Sequence, residues 1–522
     1  MNWLANDMEH WVFQETLRMN ERGLPIDRPL VDKTVKFLKR YARKRSRQCR
    51  RITGGIAPTQ VGELQQWLAS VNPKIKNLQR VTLERILKTE QLEPEIREVI
   101  RIRLEQGRVA TKKLLKMQAM DSGDARMRGG FIYHGAGPGR FTAVGLQPHN
   151  FIRPTIKEVD EVIELLHEEK FDELEARYPG DDDNPVSVLE AVGSCMRGMF
   201  KAPVGQLLVR ADYSAIEARV LAWLARQDDL TLMFHEGKDV YVDMAGDVFN
   251  EDPDEILAGH KIGDIEQSSK RKLGKDTILG CGYSMWIITF LCQMEAKGSD
   301  DIAGIPIRIN GKNIGSREEK HFNPEAIDMA KTAVLGYRER YAKIKKYWRD
   351  IEETALRAVK NPRRKVFIKN RDFARGMHFV YDGSTLGMWL PSGRYIKYPK
   401  ARVEKVNKFN KVRDQVVFEA VTDRGFPVEE SLYGGKETEN AVQGIARDIM
   451  VYGMWQGSKE GFKNIGTVHD EIITLHDYRN PHRLARRFEG IICRLPDWAD
   501  SDDLINRVPL AAEGVAAERY GK

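Results

Sequence analysis

The sequence predicts an α+β fold of several subdomains. Short apolar strands at 206–211, within 377–432 and around His469-Asp470 stand between long helical runs. A helical stretch to about residue 360 parts the first strand from the others, which segregates helices from sheet rather than alternating them. With 522 residues the chain can bury a large core and is long for a single domain.

In chain order, residues 8–48 read as helical with a break near Gly23-Leu24-Pro25. From Lys33 to Arg51, KTVKFLKRYARKRSRQCRR has lysine or arginine at nearly every second position and no acid. On charge alone a solvated helix face is the plainer account. The motifs below favour a phosphate-tracking helix, because clustered cations release counterions from nucleic acid. Residues 57–118 read as further helices with short loops, Thr59 and Glu63 lying near one helix start. Gly129 to Pro154 is rich in glycine and proline, a loop segment displaying Arg140, Gln147, Asn150 and Arg153. An ordinary surface loop would look the same. Residues 155–190 are acidic and helical, ending in a turn at Pro179-Gly180-Asp181-Asp182-Asp183. That aspartate run reads as a solvated loop rather than a metal site. A long helix is expected at 436–457, then strand, turn and strand, then a final helix.

Chemistry concentrates in three segments. In LLVRADYSAIEARVLAWL, Asp212 follows an apolar strand and precedes a helix whose Ile216, Val220 and Leu224 share a face. A carboxylate there can point into a cleft with rigid support behind it, or it can be a helix N-cap. In KRKLGKDTILGCGYSM, Arg271, Lys275, Leu279 and Tyr283 recur four apart, one slanted stripe on a helix. The stripe starts cationic and ends aromatic, suited to a triphosphate at one end and a base at the other. Gly274, Gly280 and Gly282 each cost about 1 kcal/mol against alanine inside a helix, so either something approaches the backbone closely or the segment is a loop. In TVHDEIITL, a hairpin tip carries His469-Asp470-Glu471. Placed beside Asp212, Asp470 would complete a two-metal site, and Mg²⁺ favours carboxylates with substrate oxygens. No second histidine or cysteine has zinc spacing, so His469 is not read as a zinc ligand. A P-loop is absent.

Composition narrows the setting. Net charge is +8 at a pI near 9.0, with acids also plentiful, so the placement of charge matters more than its total. The five scattered cysteines match neither a disulfide framework nor a metal site, which fits a reduced, cytoplasmic setting. No apolar run suits a bilayer span or a signal peptide.

Together these residues resemble family A, polymerase I-like DNA polymerases, and most of all bacteriophage members. Asp212-Tyr213-Ser214-Ala215-Ile216-Glu217 resembles motif A, Arg271, Lys275 and Tyr283 the fingers O-helix, and His469-Asp470-Glu471 motif C. Gly139-Arg140, the LQPHN segment, GKETENAVQGIARDIM, YRERYAKIKKYW and Leu17 to Gly23 extend the likeness over essentially the whole chain. The resemblance implies a right-hand architecture: the opening of the palm at 1–30, a thumb at 31–128, palm at 129–225 with an insertion at 155–190, fingers at 226–385 and palm again at 386–522. It implies Asp212, Asp470, Glu471 and Lys275 as the catalytic set. Two Mg²⁺ ions, replaceable by Mn²⁺, would be held by Asp212, Asp470 and the Tyr213 carbonyl. Arg271, Lys275, Leu279, Tyr283, Glu217, Tyr213 and Tyr241 would form the nucleotide site, with Glu217 beneath the sugar C2′. Arg140, Gln147, Asn150, Arg153, Gln443, Asn440 and His469, with Lys39, Arg43 and Arg47, would contact primer–template DNA.

Four positions depart from the family pattern. Leu279 replaces an aromatic residue, Ala215 a glutamine, Tyr241 a histidine and Glu439 an asparagine beside Asn440. About ten residues precede the polymerase-like region, and the DxE at Asp264–Glu266 falls in the fingers, so no exonuclease is expected in this chain. The expected partners are primer–template DNA and dNTPs, for a monomer with no membrane attachment. The competing readings are a single-subunit RNA polymerase, which Glu217 argues against, and an inactive primer–template clamp, which the intact carboxylates argue against.

Overall fold

A computed structural model describes every residue except 1–5, 107–109, 152–153, 182, 298–300, 303, 308–320, 369–375, 409–410, 423–424, 478–479 and 522. The first helix, Asp7–Arg22, is capped by Asn6, whose side chain accepts from the Glu9 amide, and it stops at Gly23 with φ 67°. A two-residue strand, Leu24–Pro25, pairs with Arg126–Met127 and turns the chain into the basic helix, Arg28–Thr53. The expected break at Gly23 to Pro25 is present, and the second helix runs further than expected because Gly54 in the left-handed region ends it. Three shorter helices, Val61–Val71, Arg80–Thr89 and Pro94–Gln106, pack with Cys49 around Leu64, Leu68, Leu83 and Val99 as a small separate core. The helix Ala110–Met120 then returns along the basic helix.

The central sheet is antiparallel, in the order Lys463–Val468, Glu471–Asp477, Gln206–Tyr213, Ala512–Ala517. Its register sets Glu471 opposite Asp212 and Ala512 opposite Tyr213. The long helix Gly434–Lys459 and the amphipathic helix Pro481–Ile492 cover one face, burying Ile445, Ile449, Phe488 and Ile492. Helices fill 216–296 and 324–360, and two further antiparallel sheets occupy 366–398 and 402–432. This is the expected α+β class.

The helix at 481–492 is not the last element. Ala512–Ala517 adds an edge strand to Gln206–Tyr213. Alanine and glycine have low strand propensity, so AEGVAA carries no strand signal, and the open edge of the sheet recruits it. Gly514 allows this, since a β-carbon there would lie 2.8 Å from both the Ala485 carbonyl and the Glu489 side chain.

One core charge stands out. Glu437, in the long helix, is fully buried, and neither of its oxygens has a hydrogen-bond partner in the protein. Burial, reinforced by Glu352, raises its pKa well above 4.5, so the folded state holds it neutral. A carboxyl raised by folding favours the native state fully below about pH 4.5 and loses that contribution as pH rises through the folded value. Glu437→Gln is therefore expected to raise the melting temperature at pH 8 by at least ~2 °C. The gain should vanish near pH 4.5, which thermal melts across pH would reveal.

Candidate nucleotidyl-transfer site

Asp212 lies inside its strand, as the penultimate residue, and is not a helix N-cap. The helix Ile216–Ala225 begins instead after Ala215, held at φ 53° with no side-chain cap. Pairing across the sheet sets the Asp212 and Glu471 side chains on one face, together with Arg210 two residues back. Glu471 is buried there, accepting from Arg210 Nη1 at 3.3 Å and from Tyr520 OH at 3.2 Å. Burial first, then the Asp212 charge, raises its carboxyl, and Arg210 opposes the shift. Tyr213 faces the other way and donates its hydroxyl to the Ile492 carbonyl at 2.6 Å. What Tyr213 offers a cation is therefore its backbone oxygen.

The hairpin tip brings Asp470 to the same end of the sheet, where the Tyr213 amide donates to the Asp470 carbonyl at 3.3 Å. His469 supports the turn at φ 55° and is exposed. Burial pushes the Asp470 carboxyl up to about 6; Arg140, 3.7 Å away, opposes this, and Glu217 and Asp212 add to it. Crowded carboxylates at one strand end make a hard-oxygen set of the kind Mg²⁺ takes when substrate oxygens complete its shell. Among the described residues there is no group of three or more His, Cys, Asp or Glu that could hold a metal ion.

Glu217 joins three segments. Arg140 Nη2 donates to its Oε1, and Tyr283 OH donates to its Oε2 at 2.7 Å. Burial, and then the Glu217 charge, holds the Tyr283 hydroxyl well above the usual phenol range, so it remains a donor. Tyr283 is not on the helix. That helix spans Ile265–Cys281 and is capped by Gly282, so the expected four-residue stripe ends at Leu279, which is half-buried. Gly282 at the cap keeps right-handed helical angles, and Ser284 at φ 65° follows Tyr283 in the turn that carries its hydroxyl to Glu217.

The loop bearing Arg140 is also built around a glycine. Gly139 has φ 96°, and a β-carbon there would lie 2.5 Å from the Arg394 guanidinium. Arg394 is itself buried on Asp448 at 2.8 Å. A cleft of about 280 Å³ runs from this loop to the hairpin, lined by Arg140, Gln147, Asn150, Arg447, His469 and Asp470. Asn150 donates to Gln147 at 3.1 Å, and Lys113 holds the Asn150 carbonyl at 2.6 Å. On the long helix, Gln443 donates to Glu439 at 3.2 Å. Burial and the Glu217 charge raise the Glu439 carboxyl, with Arg140 acting against them. Asn440 points elsewhere, its amide donating to Tyr398 OH at 3.0 Å. Arg153 lies outside the described residues.

Arg271 and Lys275 form a second group on the helix Ile265–Cys281. Both sit against the Tyr241 ring, at 5.4 and 5.8 Å from its centroid. Arg271 Nε also pairs with Asp239 at 2.8 Å, a partner that sequence reasoning missed. Asp239 caps the helix Val240–Phe249, and that capping position was its one sequence signal. The close approach implied by Gly274 is this neighbouring helix, since a β-carbon there would lie 2.0 Å from the Tyr241 carbonyl oxygen. Alanine gains about 1 kcal/mol over glycine in an open helix. Here two backbones would have to part, so Gly274→Ala is expected to cost about 1–3 kcal/mol net, read as a lower urea midpoint.

Lys39, Arg43 and Arg47 lie apart from both groups, exposed along the basic helix. The Asp181 side chain accepts from the amides of Asp183 and Asn184, as a loop turn. In the DxE, Asp264 caps the helix and Glu266 pairs with Lys270 at 2.7 Å.

Residues 184–293 match the model of DNA polymerase family A. The chain is 27% identical to the DNA polymerase of Bacillus phage SP02 over 517 residues, covering 99% of this chain and 71% of that protein. It is 43% identical to the thermostable DNA polymerase I of Thermus filiformis over 68 residues, 13% of this chain and 8% of that protein. Its fold matches the POL domain of Pol1 from M. smegmatis, solved in complex with DNA primer-template and dNTP. That match has a TM-score of 0.56 at 15% identity and covers 98% of this chain and 70% of that one, a likeness of fold. The chain is thus similar to DNA polymerase family A over 184–293, to a phage DNA polymerase along nearly its whole length, and to a polymerase POL domain in fold.

Proposed function

We propose that this chain extends a primer 3′-OH with dNTPs on a DNA template and releases pyrophosphate. The observation that carries the reading is the convergence of Asp212, Asp470, Glu217, Arg140 and Tyr283 at one end of the central sheet. Asp212, Asp470 and the Tyr213 carbonyl would hold Mg²⁺, or Mn²⁺ in its place. When bound, two such ions would lower the charge barrier between the 3′-OH and the α-phosphate. Glu471 lies beside Asp212 on the same face, and Arg210 and Tyr520 fix its position. Arg271 and Lys275 would bind the triphosphate, with Tyr241 packed against both, and Leu279 would line the same helix. Glu217, clamped by Arg140 and Tyr283, would lie beneath the sugar and exclude a 2′-OH. Arg140, Gln147, Asn150, Gln443, Asn440 and His469 would meet the primer–template, with Arg153 assigned to it by sequence alone.

The division into palm at 1–30, 129–225 and 386–522, thumb at 31–128 and fingers at 226–385 belongs to this reading. The setting we propose is bacteriophage genome replication by a monomer in the host cytoplasm, which the phage relative supports. No described helix is long and apolar enough to cross a membrane.

Primer extension with Mg²⁺, dNTPs and a labelled 3′ end tests the reading. Longer products that need template and dNTPs are expected. A preference for rNTPs, or tight binding without extension, would overturn it.

A further inference from the structure

The exposed cations of the basic helix divide into two stripes with different partners. Lys36, Arg40 and Lys44 recur four apart, and so do Lys39, Arg43, Arg47 and Arg51; at ~100° per residue the stripes lie roughly 60° apart. The first is occupied by the acidic insertion, whose helices are Val159–His167 and Phe171–Arg177. Lys36 pairs with Glu169, Arg40 with Asp172 at 2.6 Å and with Glu175 at 3.2 Å, and Lys44 with Glu175 at 2.5 Å. Phe171 fixes the alignment, packing on Phe37 at 5.1 Å with the Arg40 guanidinium 5.3 Å from its ring. The insertion is also tied to the central sheet's far end, where Asp27 bridges His167 at 3.0 Å and Arg519 at 2.6 Å.

The second stripe has no ion-pair partner among the described residues. Its four cations line an open groove of about 1290 Å³, which the ion-paired Lys36, Arg40 and Lys44 and their partners Glu169 and Asp172 also line. At 1.5 Å per residue the stripe is ~18 Å long, and a duplex strand presents about five phosphates over that length. Gln118, from the helix Ala110–Met120, lines the same groove, and Lys113 of that helix holds the Asn150 carbonyl. The groove therefore adjoins the loop that carries Arg140 and Gln147.

We infer that the acidic insertion is a charged rail: it withholds Lys36, Arg40 and Lys44 from DNA and leaves Lys39, Arg43, Arg47 and Arg51 as the track for the duplex phosphate backbone. This rests on the polymerase reading above and deepens it. Exposed ion pairs are worth little, and they compete with phosphate contacts that use the same cations. Glu169 and Asp172 are exposed, so neutralising them leaves the fold intact, whereas the Glu175 side chain is 10% exposed.

The test is equilibrium binding of the full chain to a duplex primer–template by fluorescence anisotropy over a KCl series. Each phosphate neutralised contributes a slope of about −0.9 in log K against log[salt]. E169Q/D172N is expected to steepen the slope by about 1–2, and E169Q/D172N/E175Q by about 2–3, with tighter binding at low salt. K39Q/R43Q/R47Q is expected to flatten it by about 3. Unchanged slopes in the acid variants, weaker binding by them, or an unchanged slope in the cation variant would each overturn the rail. Extension by the unaltered chain is a separate arm. Its absence removes the polymerase reading, whereas extension with unmoved slopes removes only the rail.

Discussion

Asp470→Ala or Asp212→Ala is expected to abolish primer extension, lowering turnover by at least ~10³-fold, or about 4 kcal/mol of barrier. Duplex binding should stay within a few-fold of the unaltered chain. The asymmetry follows from position. Both carboxylates stand at one strand end, held by backbone pairing that alanine leaves intact: the Asp470 carbonyl accepts from the Tyr213 amide, and Asp212 is in register with Glu471. On the proposed reading, removing a carboxylate here would withdraw a cation ligand. It also withdraws a negative charge from a surface that must meet phosphates, so binding has no reason to weaken. Asp470→Asn separates charge from shape and should fall with Asp470→Ala. Single-turnover extension and anisotropy on the same preparations decide it. Extension within tenfold of the unaltered chain in either alanine variant would sink the two-carboxylate assignment.

The parts of this site that could be read from sequence are those set by local geometry. Strand, turn and strand around His469-Asp470 follow from two short runs flanking a polar turn, and the Asp212 strand follows from a short apolar run before a helix. What escaped depends on contacts between distant segments. Arg271 and Asp239 are far apart in sequence and meet only because Gly274 lets two helices touch. Tyr283 looked helical by spacing, but the helix ends at Cys281 before it, and the partner that gives it a role, Glu217, lies on another element. Asn440 sits next to Glu439 in sequence, yet on a helix adjacent residues point about 100° apart, and its amide went to Tyr398. The strand Ala512–Ala517 has no propensity of its own and exists because a neighbour offers an open edge. The acidic insertion and the basic helix were each legible as charged helices. Their pairing was not, because charge pattern alone does not say which of two stripes an acidic helix will meet.

The second large effect is expected at Lys275. Lys275→Ala should lower kcat for dNTP incorporation by about 10²–10³-fold, the usual consequence of removing one donor aimed at developing charge. Arg271→Ala should act mainly on KM. The two cations share the Tyr241 ring but differ in burial: Arg271 is half-buried and paired with Asp239, while Lys275 is exposed. A triphosphate has to compete with Asp239 for Arg271, so part of that interaction is spent before chemistry and appears as binding. Asp239→Asn supplies the control. It frees Arg271 from its carboxylate and should lower KM for dNTP, or leave it unchanged, without raising kcat. If instead Asp239→Asn lowered kcat as far as Lys275→Ala does, Asp239 would be positioning Arg271 for the transition state rather than competing for it. If Lys275→Ala kept kcat within about threefold, the charge on the leaving phosphates would have to be met elsewhere, and the assignment of this helix to the triphosphate would fall.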